Sequence, residues 1–156
     1  SYTFAELCKE AEETDYITSR IDVNNKCFLA PENMTEAIKS YCNNNDLIIP
    51  DTAGEIAAVV YKSLADSYAD TVMQIEKNLD ITYDAIYVIG GGANAGYLNQ
   101  LTADSTGKTV VAGPAEATAI GNIMAQMIAD SVFKNLKEAR ACVRDSFDIK
   151  RFEQKR

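Results

Sequence analysis

The sequence predicts an α/β fold that is rich in helices and contains one β-α-β-α unit with an incomplete sheet. Two short runs of mainly β-branched and aromatic residues, 85–89 and 109–112, are typical of strands. A helical segment and three consecutive glycines lie between them. Strands joined in this way pair in parallel through a right-handed crossover. Most other segments have their apolar residues at helical spacing.

The first elements are predicted from local signals at their ends. Thr3 and Glu6 form a capping box, in which each side chain binds a backbone N–H of the other, and a helix follows over residues 4–13. A short strand is predicted near residues 27–29. Pro31 suits the first position of a second helix, to about residue 41, because its fixed φ matches the helical value.

The longest helix is predicted over residues 54–78, after a second capping box formed by Thr52 and Glu55. Its apolar residues recur every three to four positions, which predicts a stripe that packs on the core. The stripe consists of Ile56, Val60, Leu64, Tyr68, Val72, Ile75 and Leu79.

The second half of the chain carries the predicted strands. Residues 86–89 contain no polar side chain, as in a strand buried on both faces. The helix after the glycines ends at Gly107, which suits a left-handed cap. Two more helices are predicted over residues 115–130 and 136–146, followed by a polar tail.

Two strands are fewer than a doubly wound domain needs. The chain also begins on a capping box without an initiator Met. We therefore expect a piece of a longer protein, whose remaining part completes the sheet. Apolar surface that the longer protein buries would be exposed in this chain, and we expect the chain to self-associate.

Composition argues against several classes of protein. The net charge of −8 opposes nucleic-acid binding, which relies on Lys and Arg. No apolar run approaches the roughly 20 residues of a membrane span, and no signal peptide is evident, so we expect a cytoplasmic protein without membrane contact. The four cysteines lack C-x-x-C spacing and the chain has no histidine. These facts argue against a metal site and exclude catalysis by Ser-His-Asp or Cys-His groups.

The three glycines are the first candidate functional site. Gly90, Gly91 and Gly92 lie between a strand and a helix, where a residue without Cβ lets a ligand approach the backbone closely. The following helix offers free N–H groups and the positive end of its dipole. Asn94 is predicted either to bind a purine edge or ribose, or to cap that helix.

Two segments together resemble sugar kinases of the FGGY family. The first runs from Val-Ile-Gly-Gly-Gly-Ala-Asn to Leu-Asn-Gln-Leu-Thr-Ala-Asp over residues 88–104. The second is Gly-Pro-x-Glu-Ala-Thr-x-x-Gly-Asn over residues 113–122. Many nucleotide-binding folds share the glycine turn, but the combination with the second segment is specific. Matches at residues 28–34, 63–69 and 144–147 extend the resemblance over most of the chain.

The resemblance implies a partial actin-like ATPase (ribonuclease H-like) domain. Residues 1–156 would be the C-terminal part of the second, nucleotide-binding domain of a sugar kinase, with the N-terminal domain absent. The adenosine of ATP or ADP would bind at Gly90, Gly91, Gly92 and Ala93, with Asn94 adjacent and Gly91 as the best candidate for adenine contact. The phosphate loops and the catalytic Asp would precede this chain, so we expect no catalytic residue and no metal ligand here.

For the whole enzyme, the resemblance implies transfer of the γ-phosphate of MgATP to O1 of the sugar substrate L-rhamnulose. This chain alone would be inactive. L-Fuculose and L-xylulose are alternative substrates. Two other classes stay open: a nucleotide-binding module without transfer chemistry, and a piece of a Rossmann oxidoreductase. The latter has Gly-x-Gly-x-x-Gly spacing, from which residues 90–92 depart.

Overall fold

A computed structural model describes residues 2–14 and 16–155 as a helix-rich α/β structure with a small three-stranded sheet. The helices are α1 (Phe4–Glu13), α2 (Met34–Asn44), α3 (Ala53–Leu79), α4 (Gly96–Thr106), α5 (Ala117–Ala129) and α6 (Leu136–Ser146). The strands are β1 (Ala85–Val88), β2 (Thr109–Ala112) and β3 (Lys150–Phe152). Two 3-10 turns lie at Lys26–Phe28 and Gly90–Asn94.

Both predicted capping boxes are confirmed. Glu6 N donates to Thr3 Oγ1 at 3.3 Å, and Thr3 N donates to Glu6 Oε2 at 2.8 Å. At α3, Glu55 N donates to Thr52 Oγ1 at 3.2 Å, and Thr52 N donates to Glu55 Oε2 at 3.0 Å. The helices α1 and α3 therefore begin within one residue of their predicted starts.

Two predicted helix starts and one predicted strand are wrong. The helix α2 begins at Met34 rather than at Pro31, because Asn33 accepts a hydrogen bond from the N–H of the third helical residue at 3.2 Å. The strand expected near residues 27–29 is a 3-10 turn, which starts where the Asn25 side chain accepts from Cys27 N at 3.1 Å. The helix α5 begins at Ala117, two residues later than expected.

The predicted apolar stripe of α3 is confirmed only in part, because Ile56 and Val60 pack against the core but no residue of the stripe is fully buried. The buried residues are mostly small, and α1 and α4 pack on this helix. The approach of α1 is close, since a Cβ at Gly54 would lie 2.9 Å from Glu10 Cβ. Tyr68, Ile75 and Leu79 are exposed among the described residues. The buried residues of α3 are Gly54, Ala57, Ala58, Val59, Lys62, Ser63 and Ala65.

The sheet has the order β1-β2-β3. The predicted parallel pair is confirmed, with Ala85 opposite Thr109 and Val88 opposite Ala112. The antiparallel strand β3, with Phe152 opposite Val110, lies in the segment that the sequence predicts as a polar tail. The left-handed cap at Gly107 is also confirmed, with φ of 67°.

The strand β1 is not buried on both faces, contrary to the prediction. Tyr87 is 73% exposed and Ile89 is 62% exposed. Within the described residues, β1 has a sheet neighbour on one side only, which is β2. We call the exposed apolar surface around this strand the apolar edge. It consists of Leu79, Ile81, Tyr83, Tyr87 and Ile89.

The described residues also contain a compact apolar cluster away from the sheet. Its buried members are Ile17, Ile21, Ile38, Cys42 and Val59. None of the described helices combines the length and the apolar composition that a membrane-spanning segment requires.

Candidate nucleotide-binding site

Two loops meet at the carboxyl ends of the parallel strands. The Gly90–Asn94 turn follows β1, and residues 113–116 follow β2. Two backbone hydrogen bonds join the loops: Gly113 N donates to Val88 O at 2.9 Å, and Gly90 N donates to Pro114 O at 3.4 Å. Ligands of open α/β sheets bind outside the carboxyl ends of the strands, which is where these loops lie.

The three glycines have different environments. Gly90 has φ of +74°, a conformation that favours glycine. A Cβ at Gly92 would lie 3.4 Å from Val88 Cγ1, whereas a Cβ at Gly91 would meet no heavy atom outside its chain neighbours within 4 Å. Gly91 is therefore the glycine of the turn whose side-chain direction faces open space, and a flat ligand has room against its backbone.

Ala93 and Asn94 face different surroundings. Ala93 is buried and supports the turn from within. Asn94 is exposed, and it does not occupy the N-cap of α4, which is Ala95 and has no side-chain hydrogen bond. The structure thus gives no support to the capping alternative for Asn94 and leaves its side chain beside a cleft.

The cleft beside Asn94 has a volume of about 580 Å³, within the range of small-molecule pockets. One wall is α1, and of the predicted site residues only Asn94 lines the cleft. The other wall is formed by the residues around the start of α4. The lining residues are Thr3, Ala5, Cys8, Lys9, Glu12, Asn94, Gly96 and Tyr97.

Aromatic packing supports Tyr97, one of the residues that line this cleft. The Tyr61 ring meets the Tyr97 ring edge to face, with centroids 6.1 Å apart. The Tyr61 hydroxyl lies 3.6 Å from Cys8 Sγ. Burial, with a smaller contribution from the Cys8 contact, raises the pKa of Tyr61 to about 12. This phenol is neutral at physiological pH and packs behind Tyr97 and Cys8, two of the residues that line the cleft.

Asn99 holds the inner side of the glycine turn, a role that no pattern in the sequence indicated. Its side chain is 2% exposed. Asn99 Nδ2 donates to Gly92 O at 3.3 Å and to Ala93 O at 3.2 Å. The turn is therefore fixed to the first residues of α4 by side-chain as well as backbone hydrogen bonds.

The second loop is tightly confined. Gly113 has φ of +118°, and a Cβ there would lie 2.9 Å from Asp148 O. Gly113 precedes Pro114 through a cis peptide bond. The helix α5 begins directly after this loop, with Glu116 at its N-cap and no side-chain capping bond. The N–H groups of its first turn lie on the side of the site, where they favour negative charge.

Within residues 2–14 and 16–155, no group of three or more His, Cys, Asp or Glu side chains is placed to hold a metal ion.

Comparison with known proteins identifies the family. Residues 3–129 match the C-terminal domain of the FGGY family of carbohydrate kinases. This match covers most of the chain, and the chain belongs to this family.

Curated relatives carry the name rhamnulokinase. The rhamnulokinase of Bacillus subtilis (strain 168) is 47% identical over 154 residues, which are 99% of this chain and 32% of that protein. The rhamnulokinase of Oceanobacillus iheyensis is 45% identical over 148 residues, covering 95% of this chain and 31% of the relative. That of Lactiplantibacillus plantarum is 38% identical, with 97% and 31% covered. The chain thus spans about a third of the length of these relatives.

Proposed function

We propose that this chain supplies the adenosine-binding portion of an ATP-dependent sugar kinase. The observation that carries the proposal is the open backbone at Gly91, at the carboxyl end of β1, in a chain of the FGGY carbohydrate kinase family. The full-length protein transfers the γ-phosphate of ATP to O1 of L-rhamnulose. The name of the curated relatives supports this choice of sugar.

Each residue of the turn has a distinct part in binding ATP or ADP. Gly90 allows the sharp exit from β1, and Gly91 presents its backbone to the flat face of the adenosine. Asn94 borders the cleft, where its amide can donate to or accept from a purine edge or a ribose hydroxyl. Ala93 supports these residues from inside the fold.

The domain assignment follows from the same proposal. Residues 1–156 form the C-terminal part of the second, nucleotide-binding domain of an actin-like ATPase fold. The remaining part of that domain covers the apolar edge beside β1 and extends the sheet. The N-terminal domain is the partner that closes over the other end of the nucleotide. Support comes from the exposed Tyr87 and Ile89 and from relatives about three times longer than this chain.

The division of labour follows from the chemistry of phosphoryl transfer, in which positioning and charge neutralisation dominate. This chain holds the adenosine end of MgATP. We place the phosphate loops, the ligands of Mg²⁺ and the Asp that accepts the sugar hydroxyl proton in the part of the relatives that this chain does not match. The chain alone is therefore inactive as a kinase.

A substrate panel tests this function. The full-length protein is assayed with MgATP and L-rhamnulose, L-fuculose or L-xylulose, and the product is located by ³¹P NMR. We expect the highest kcat/KM with L-rhamnulose and phosphate on O1. A higher value with another ketose would reassign the substrate. ADP binding without transfer to any of the three sugars would favour a nucleotide-binding module, and enzyme-like turnover by the 156-residue chain alone would refute the division of labour.

A further inference from the structure

The backbone of the glycine turn is held by the short-range bonds of a 3-10 segment, Gly90–Asn94, whose hydrogen-bond geometry is poorer than that of an α-helix. Gly90, Gly91 and Gly92 have wide conformational freedom in the unbound chain. Backbone bonds hold the turn at its ends, where Ala95 N donates to Gly92 O at 3.1 Å and Gly90 N donates to Pro114 O at 3.4 Å. The latter distance is long for an N–H···O bond.

Asn99 adds a restraint at the middle of the turn. Side chains on a helix lean towards its N-terminus, so an Asn in the first turn of α4 reaches back over the residues before the helix. Its amide donates to the carbonyls of Gly92 and Ala93, at 3.3 and 3.2 Å. With 2% exposure the amide has little access to water, so these two bonds replace its hydration.

We propose that Asn99 is a positioning residue for nucleotide binding, a role that rests on the proposed function. By holding two consecutive carbonyls inward, it keeps the opposite side of the turn, at Gly91, open to the ligand. The turn is ordered before the nucleotide arrives, and binding does not carry the cost of ordering it.

The test is the Asn99→Asp substitution in the full-length protein. It keeps the side-chain shape but replaces the donor by a carboxylate oxygen that faces two carbonyls. We expect the KM for ATP to rise about tenfold at neutral pH, with kcat and the sugar KM within about twofold of the parent. A protonated carboxyl regains one donor, so the KM for ATP of the variant should fall as the pH is lowered, a trend that the parent lacks.

Thr102→Val is the matched control. Thr102 is equally buried, one turn further along α4, and its hydroxyl donates to Leu98 O at 2.8 Å without touching the glycine turn. This variant loses a partly buried hydrogen bond of the same helix and should leave the KM for ATP within about twofold. Equal changes in the two variants would show that Asn99 has only a structural role and would overturn the proposal.

Two further variants distinguish a failure of the positioning role of Asn99 from a failure of the proposed nucleotide site. If Asn99→Asp does not fold, Asn99→Ser is the second variant, because the shorter side chain no longer reaches the two carbonyls and adds no charge. An unchanged KM for ATP in Asn99→Ser overturns the proposal. Gly91→Val reports on the site itself. A raised KM for ATP in Gly91→Val with none in the Asn99 variants refutes the positioning role alone, whereas no change in any of these variants refutes the proposed site.

Discussion

Gly113 is the position at which a single methyl group is expected to cost the most stability. The backbone there has φ of +118°, and a Cβ would lie 2.9 Å from Asp148 O. That oxygen belongs to the backbone of the segment that leads into β3 and cannot rotate away as a flexible side chain does. Gly113→Ala must therefore either strain the loop after β2 or push the β3 segment outward.

The two costs can be estimated separately. A non-glycine residue in a sparsely populated region of φ and ψ costs about 1–3 kcal/mol. Forcing an extra methyl against a packed neighbour costs about 1–3 kcal/mol as well. Partial relaxation reduces the sum, and we expect Gly113→Ala to lower the free energy of unfolding by about 3 kcal/mol.

Urea denaturation of the chain measures this effect. With a slope of about 2 kcal/mol per molar urea, the midpoint should fall by about 1.5 M. Gly91→Ala is the control, because its Cβ enters open space from a backbone without positive φ, and its midpoint should move by less than about 0.3 M. Equal midpoints for the two variants would refute the steric reasoning about both loops.

Two further predictions concern charge and exposed apolar surface. The pKa of Glu76 lies below its ordinary value of 4.5, because Glu76 accepts a hydrogen bond from Lys108 Nζ at 2.7 Å and a second one from Tyr83 N. The ionised carboxylate therefore stabilises the folded state. Its contribution is complete above the unfolded pKa and is lost as the pH falls through the lower folded pKa. The difference in urea midpoint between the parent and Glu76→Gln should thus shrink as the pH falls below about 4.5. The apolar edge should make the chain self-associate in sedimentation velocity runs, and Tyr87→Glu should weaken this more than Tyr2→Glu at another exposed tyrosine. A strictly monomeric parent chain at high concentration would contradict this prediction.

Local signals predicted the ends of several elements well. The two capping boxes and the left-handed Gly107 are decided by residues within one helical turn of each other, so the sequence contains all the relevant information. At α2, the sequence analysis used Pro31 as the starting signal and overlooked Asn33, whose side chain accepts a hydrogen bond from the N–H of Glu36 and caps the helix.

Tertiary surroundings could not be predicted in the same way. The apolar pattern of residues 86–89 indicates a surface that avoids water, but not whether a covering element is present in this chain. For this reason Tyr87, Ile89 and much of the C-terminal half of α3 are exposed where burial was predicted. The buried face of α3 depends on small residues that admit α1 and α4 closely, a fit that periodicity does not reveal.

The sequence predicted which segment forms the candidate site, but not how its residues are arranged in three dimensions. The glycines indicated a close backbone approach, and the structure distinguishes the open Gly91 from the left-handed Gly90 and from Gly92, which lies against Val88. The contribution of α1 to the cleft and the two bonds from Asn99 join segments that no spacing rule connects.

The most direct test of the proposed adenosine site is the equilibrium binding of ADP to the full-length protein, measured by titration calorimetry. Gly91→Val fills the open space in the turn, and Gly121→Val, at an exposed glycine of α5 that also has no neighbour within 4 Å, is the control. We expect the Kd for ADP to rise at least about tenfold in Gly91→Val and to stay within about twofold in Gly121→Val. An unchanged Kd in a folded Gly91→Val protein would contradict the assignment of this turn to adenosine.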